Sequence, residues 1–377
     1  MAGIYIHIPF CKKACHYCNF HFSTSLNLKN DFIESLLKEI DLQSNYLNTT
    51  PVETIYFGGG TPSLLEEKEL ARVMDKLFGS FNISPGPEIT LEANPDDIAP
   101  EKLAAWQSTG INRLSIGIQS FFDQDLQWMN RAHDASQAGK CITLAQDAGF
   151  NNLTIDLIYG TPTQSNEQWL ENIQTAVGLN IPHLSCYALT VEPGTALNKM
   201  IELHRKEAVD PEKQASQFLL LMDQLKVYGY EHYEISNFAK PGFRSRHNAS
   251  YWQGKPYLGL GPSAHSYNGH TRKWNIANNA LYIQSIRQGT IPSEEEILSL
   301  QQQLNEFIMI SLRTAEGLDL EILEKKFSSP QRLKLEKDVS KYIELGQVER
   351  VNTSLRLTDA GKLFADGIAA DLFETGH

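Results

Sequence analysis

Between Gly3 and roughly Tyr233, apolar β-branched stretches alternate with amphipathic helical ones, which predicts an α/β fold of parallel strands joined by helical crossovers. Two further observations shape the expectation. Polar residues recur at the ends of successive strands, and from about Ser293 the pattern changes to helices followed by a hairpin. Strict alternation admits a barrel or a doubly wound sheet. The strand-end polar residues favour a partial TIM-like barrel, in which C-terminal strand ends and the loops after them build the active site.

In chain order, residues 2–8 read as the first strand and residues 30–47 as a helix, with Phe32, Ile33, Leu36, Leu37 and Ile40 at helical spacing. Then follow strand 53–57, helix 65–78, strand 88–92, helix 100–107, strand 113–119, helix 136–148, strand 152–158, helix 167–177, strand 183–189 and helix 211–228. These make a barrel unit of residues 1–235. Residues 236–290 break the alternation and are expected to be a linker region packing on the barrel. Residues 291–377 form the expected C-terminal unit, small, helical and winged-helix-like: helices 298–312 and 328–344, a hairpin of 347–351 and 354–357 turning through Asn352-Thr353, and a helix over 359–373. Winged helices often bind DNA, but a fold does not license that function. The last helix sets Asp359, Asp366, Asp371 and Glu374 against Lys362, the wrong sign for phosphate. A lid or docking module beside the barrel is the expectation.

The 377 residues, 41% hydrophobic and 21% charged, exceed one ordinary domain and exclude a disordered or fibrous chain. A net charge of -12, from 33 Lys and Arg against 45 Asp and Glu, argues against broad nucleic-acid binding, which needs cations to displace counterions. No apolar run approaches the length of about 18 residues that suggests a membrane span. No basic stretch followed by a long apolar one opens the chain. Cytoplasmic localisation is the default expectation, with any membrane association running through a partner. A reducing compartment also suits thiolates kept for a metal.

Three of the five cysteines, Cys11, Cys15 and Cys18, fall in one loop directly after the first strand. Three sulfurs in a loop can wrap three corners of an iron–sulfur cube and leave the fourth iron open. A disulfide with a spare thiol needs an oxidising compartment. A Cys₃His zinc site using His16 or His21 would lack the paired C-x₂-C spacing typical of zinc. Cys141 and Cys186, in a helix and a strand, read as core.

The spacing C-x₃-C-x₂-C after a strand resembles the radical S-adenosylmethionine (SAM) superfamily, in which the open iron is chelated by SAM. The longer string from Tyr5, His7, Ile8, Pro9 and Phe10 to Cys18 resembles the branch of oxygen-independent coproporphyrinogen oxidases and HemW haem chaperones. That resemblance implies a partial (β/α) radical SAM barrel. It also implies SAM contacts at Tyr5, Gly59, Gly60, Thr61, Glu92, Gln119, Arg131 and Asp156, with Tyr17 near the adenine, Ala188 as a backbone contact, and His265 in a glycine-rich segment approaching the cofactor. Carboxylates and an amide can hold ribose hydroxyls, and an arginine fork suits a carboxylate. Taken alone, Gly58-Gly59-Gly60 serves a ligand or a tight turn equally well.

Residues 237–257 carry Lys240, Arg244, Arg246 and Lys255, no acidic residue, and Phe238, Phe243, Tyr251, Trp252 and Tyr257. Such an island can stack single-stranded nucleic acid, seat a flat macrocycle bearing carboxylates, or simply pack on the barrel. Its string His247-Asn248-Ala249-Ser250-Tyr251-Trp252 resembles the HNxxYW motif of HemW proteins, which implies haem contacts at His247, Asn248, Tyr251 and Trp252. A second departure points the same way. Porphyrinogen-oxidising relatives carry a further cysteine two residues after the third, where this chain has Phe20. The expectation is therefore a haem chaperone carrying a [4Fe-4S] cluster and SAM, with haem and acceptor haemoproteins as partners, no nucleic acid, and no catalytic residue assigned. The alternatives are a coproporphyrinogen III oxidase and a radical SAM enzyme acting on RNA.

Overall fold

Six parallel strands come first, and their order in space is their order in the chain. In the computed structural model, which describes residues 1–374, they are β1 (Ala2–Ile8), β2 (Val52–Gly59), β3 (Ile83–Ala93), β4 (Arg113–Gln119), β5 (Leu153–Tyr159) and β6 (His183–Ala188). β1 and β4 are buried along nearly their whole length, as parallel strands covered by crossover helices must be. The crossovers run over Lys29–Leu42, Glu67–Ser80, Pro100–Ser108, Ala135–Asp147 and Asn166–Gly178. Asp134 and Ser165 start two of them with reciprocal caps to Gln137 and Gln168. Cys141 and Cys186 are buried in this core, as expected.

The expected partial barrel is an open sheet. Beyond β6 lie β7 (Glu231–Glu234) and β8 (Asn237–Ala239), in the order β6-β8-β7. Beyond β1 the sheet continues through β9 (Tyr257–Leu260), β10 (His265–Tyr267), β11 (Thr271–Asn275) and β12 (Ser293–Ile297). β9 pairs parallel to β1, while β10, β11 and β12 follow antiparallel. The stretch expected as a packing linker therefore supplies β8 to β11, and residues 293–297, expected to be helical, form an edge strand. β9 has four residues, too few for a periodicity, and its partner lies at the other end of the chain.

One buried carboxylate ties the added strands to the first half. Glu39, on Lys29–Leu42, is fully buried and accepts from the Gly261 N–H (2.7 Å), Asn275 Nδ2 (2.6 Å) and the Tyr282 hydroxyl (2.6 Å). Burial raises its pKa against the pull of those donors.

The C-terminal unit packs Leu300–Leu312, Leu320–Lys326 and Ser329–Glu344 against a three-stranded sheet of β13 (Leu318–Asp319), β14 (Val348–Val351) and β15 (Ser354–Leu357). The helix expected over 359–373 is two short ones, Asp359–Lys362 and Ala365–Asp371, broken at Leu363-Phe364. Leu304, Ile308, Leu335, Val339, Leu355 and Ile368 make its own core. It docks on β7, where Ala315 N–H donates to the Tyr233 carbonyl (3.0 Å) and Ile235 N–H to the Arg313 carbonyl (3.1 Å). Among the described residues, no helix is long and apolar enough to cross a membrane.

Glu39→Ala strands three buried donors and is expected to lower unfolding stability by about 3 kcal/mol or more in a denaturant titration, whereas Glu39→Gln, which keeps an acceptor, loses less than half of that. Equal losses would mean that side-chain volume, rather than satisfied donors, holds the contact.

Candidate functional site

The cysteine loop is fixed where β1 ends. Gly60 N–H donates to the Ile8 carbonyl (2.8 Å) and Thr61 N–H to the Phe10 carbonyl (2.7 Å), so the turn after β2 lies directly on the start of the loop. A Cβ on Gly60 would sit 2.6 Å from the Phe10 carbonyl oxygen and 2.7 Å from that of Ile8, and Gly59 has φ +102°. Both glycines thus have a backbone reason to be glycine, and both line the cavity described next. Farther along, Cys11 N–H donates to the Ser23 carbonyl (3.0 Å), His16 N–H to that of Met129 (3.2 Å), and Asn130 Nδ2 to that of Ala14 (2.7 Å).

Cys11, Cys15 and Cys18 are free and half-buried, and they line one cavity of about 400 Å³ at the C-terminal ends of the parallel strands. They share its wall with Tyr17, Gly59, Gly60, Thr61, Glu92, Gln119, Arg131, Asp156 and Ala188. Among the described residues, no three of His, Cys, Asp or Glu converge to hold a single metal ion. A cube differs in this respect, since each of its thiolates goes to a separate iron. Burial pushes the Cys18 thiol up to about 11 and raises that of Cys11.

Charge is distributed unevenly around the wall. Arg131 lies just past the short helix Asp123–Trp128; its Nη1 is 3.3 Å from Cys15 Sγ, and its Nη2 donates to Asn94 Oδ1 (2.7 Å) and the Gly117 carbonyl (2.8 Å). The fork is spent on the protein, while Nε is buried without a partner. Opposite stand two half-buried carboxylates. Glu92 accepts from the Tyr56 hydroxyl (2.8 Å), and burial together with neighbouring Asp156 pushes its pKa up to about 8. Burial raises Asp156 to about 6. Gln119 ends β4 with φ 66°, a left-handed conformation that a non-glycine residue holds only when its surroundings impose it.

Tyr5 and His265 do not line this cavity. They lie on a neighbouring one of about 500 Å³, with His7, Tyr251, Trp252, Tyr257 and Tyr267. Phe20, at the end of the cysteine loop, lines both.

His247 lies elsewhere. It is 1% exposed, stacked on Tyr56 at 5.0 Å, with Nδ1 at 2.8 Å from the Thr54 hydroxyl and Nε2 at 2.8 Å from that of Tyr251. Burial pushes its pKa down to about 3, so the ring is neutral. Glu88 accepts from the N–H groups of Arg246 and His247 and holds the start of their helix, Arg246–Trp252. Neither His247 nor Asn248 lines either cavity. The island's cations are largely engaged: Arg244 with Glu231 and Glu316, Arg246 with the Gly86 carbonyl, Lys240 with the Tyr228 carbonyl.

Comparison with known proteins fits this geometry. Residues 5–176 match the model of the radical SAM superfamily, and residues 298–364 that of the HemN C-terminal domain. The chain is 33% identical to a heme chaperone HemW of Mycobacterium tuberculosis, over 98% of this chain and 94% of that one. The chain belongs to the HemW family. Its relative in Bacillus subtilis, also a heme chaperone HemW, is 32% identical over 98% of both chains. The solved coproporphyrinogen III oxidase (HemN) of Escherichia coli, a radical SAM enzyme, superposes with a TM-score of 0.85 at 23% identity, covering 99% of this chain and 90% of that one, and so shares the fold.

Within this HemW-family site, Asn94 is legible in the sequence only as a residue just past a strand end. It accepts from Arg131 and donates to the Thr61 hydroxyl (3.2 Å), joining opposite walls. Tyr187, beside Ala188, also lines the cavity; its place near a strand end was the available signal.

Glu92, raised from an ordinary 4.5 to about 8, favours the fold when protonated, so that contribution is full below the ordinary value and is lost as pH rises through about 8. Without bound ligand, the chain is expected to melt lower at about pH 8.5 than at about pH 6, and Glu92→Gln to shrink that difference and raise Tm at the higher pH by about 2 °C or more. An unchanged difference in calorimetry of the variant would place the dependence on another group.

Proposed function

We propose that Cys11, Cys15 and Cys18 hold a [4Fe-4S] cluster with SAM at its open iron, and that the chain binds haem as cargo and passes it to an acceptor haemoprotein. The observation that carries the first half is the shared wall: three free thiols, a guanidinium and two half-buried carboxylates around one cavity at the strand ends. The cluster would supply a redox-active iron with one open coordination position. The protein's own groups account for the rest. Arg131 sets a positive charge 3.3 Å from Cys15 Sγ, and its unpartnered Nε is a donor left over for an acidic group of the ligand. Glu92 and Asp156 can accept from ribose hydroxyls, and the arrival of a cationic sulfonium would draw both toward the charged form. Thr61, held by Asn94, and the backbone at Gly59 and Gly60 line the cavity in which such a ligand would lie.

The haem reading is supported by the relatives' own name, heme chaperone HemW, over nearly full length. It is supported as well by Asn19-Phe20, where a phenyl ring cannot do the redox chemistry of a thiol. The engaged cations of the aromatic island weigh against an RNA substrate, since phosphate contact would have to break those pairs first.

Reconstituted under anaerobic conditions, the wild type is expected to bind haem saturably, while Cys18→Ala loses bound iron and sulfide together with their charge-transfer absorbance. Supplied with coproporphyrinogen III and SAM, the wild type is expected to form no protoporphyrinogen. Steady formation of that product would overturn the chaperone reading in favour of the oxidase.

A further inference from the structure

The HNxxYW string names His247 as the contact for haem, but its geometry leaves no free valence. Both ring nitrogens are hydrogen-bonded at 2.8 Å, one to Thr54 and one to Tyr251, and the ring is stacked against Tyr56. A Cβ on Gly3 would come within 3.2 Å of it, so β1 closes over the ring. An iron could reach His247 only after the helix Arg246–Trp252 had moved and two buried hydrogen bonds had been lost.

The neighbouring aromatic cavity offers the opposite arrangement. Its volume of about 500 Å³ lies in the range, roughly 300–1,000 Å³, of small-molecule sites. Tyr251, Trp252, Tyr257 and Phe20 give it the ring-rich wall that a porphyrin plane needs. On that wall His265 is exposed and stacked near Trp274 (6.3 Å, 28° between planes), and among the described residues neither of its ring nitrogens has a hydrogen-bond partner. His7, the other imidazole of the cavity, contacts the His21 carbonyl (2.8 Å) and the Tyr5 hydroxyl (3.3 Å).

The turn that presents His265 is stiffly built. Gly261 has φ +94° and Ser263 φ 64°. Asn275 Nδ2 holds the Gly261 carbonyl at 2.9 Å, Asn275 N–H donates to the Ala264 carbonyl (2.9 Å), and Ser263 N–H to that of Ile276 (3.1 Å). A left-handed serine fixed this way keeps the nearby histidine in place before any ligand arrives.

We infer that His265 is the iron ligand of haem seated in the aromatic cavity, and that His247 is a positioning residue which holds Tyr251, a wall of that cavity, in place. The inference rests on the haem-chaperone reading. A neutral imidazole gives a lone pair to iron in place of water, with no proton released and no change in oxidation state. The tyrosines are poorer candidates: burial raises the phenol of Tyr257 to about 12, and that of Tyr251 is already bonded to His247.

The test is an anaerobic titration of the full chain with haemin, followed by reduction and resonance Raman detection of the iron–imidazole stretch, on wild type, His265→Ala, His265→Asn and His247→Ala, each checked for folding by circular dichroism. The wild type and His247→Ala are expected to show the stretch. Both His265 variants lose it and bind about tenfold more weakly or worse, and added imidazole restores the stretch in His265→Ala. If the His265 variants kept the stretch and His247→Ala lost it, the inference would fall while haem binding stood. Were the wild type to bind no haemin saturably, the reading beneath it would fall as well.

Discussion

The crossing of the Gly60 backbone over the end of β1 is the contact on which the site depends. With Ile8 and Phe10 carbonyls less than 3 Å from where a Cβ would be, the two segments can touch only because Gly60 has none. Two hydrogen bonds then fasten the turn to the cysteine loop. β1 is itself locked between β2 and β9, so the loop inherits the rigidity of the sheet's centre. Three thiols, the arginine beside them and the carboxylates across the cavity are thereby placed by the backbone of the sheet itself.

How much of this was legible depended on how far apart in the chain the partners lie. The six parallel strands could be read because each carries its own apolar run, and the cysteines because all three sit in one loop. Nine of the eleven residues assigned to the cofactor by resemblance line one cavity, because strand ends gather at one face of such a sheet. Tyr5 and His265 fall outside because the added strands β9 and β10 open a second cavity beside the first, and β9 is too short to announce itself. Glu39 reads as one more polar residue on a helix; only its three donors, all from beyond Leu260, explain its burial.

His247 teaches a different lesson about motifs. A string of residues states which side chains recur together, not which of them faces the ligand. Here the histidine and the tyrosine four positions later are neighbours on one helical face, and the hydrogen bond between them is intrahelical. The histidine points into the protein and the tyrosine toward the cavity, so one member of the string braces another. A buried, uncharged imidazole between two hydroxyls is well suited to that task and badly placed to meet iron.

An open sheet of twelve strands has two borders, and each border is a template on which another chain can add a strand. Neither is left bare. β7 is overlaid by residues 313–315, so the C-terminal unit seals that side by its own docking. β12 carries Glu294, Glu295 and Glu296 in succession, facing Trp274, Lys273 and Arg272 on β11. A second copy approaching that rim would bring three like charges against three of its own. Because β9 must find β1 from the far end of the chain, a pairing that costs much loop entropy, an acidic rim that repels its own copy is suited to guarding the sheet against aggregation while it is being completed.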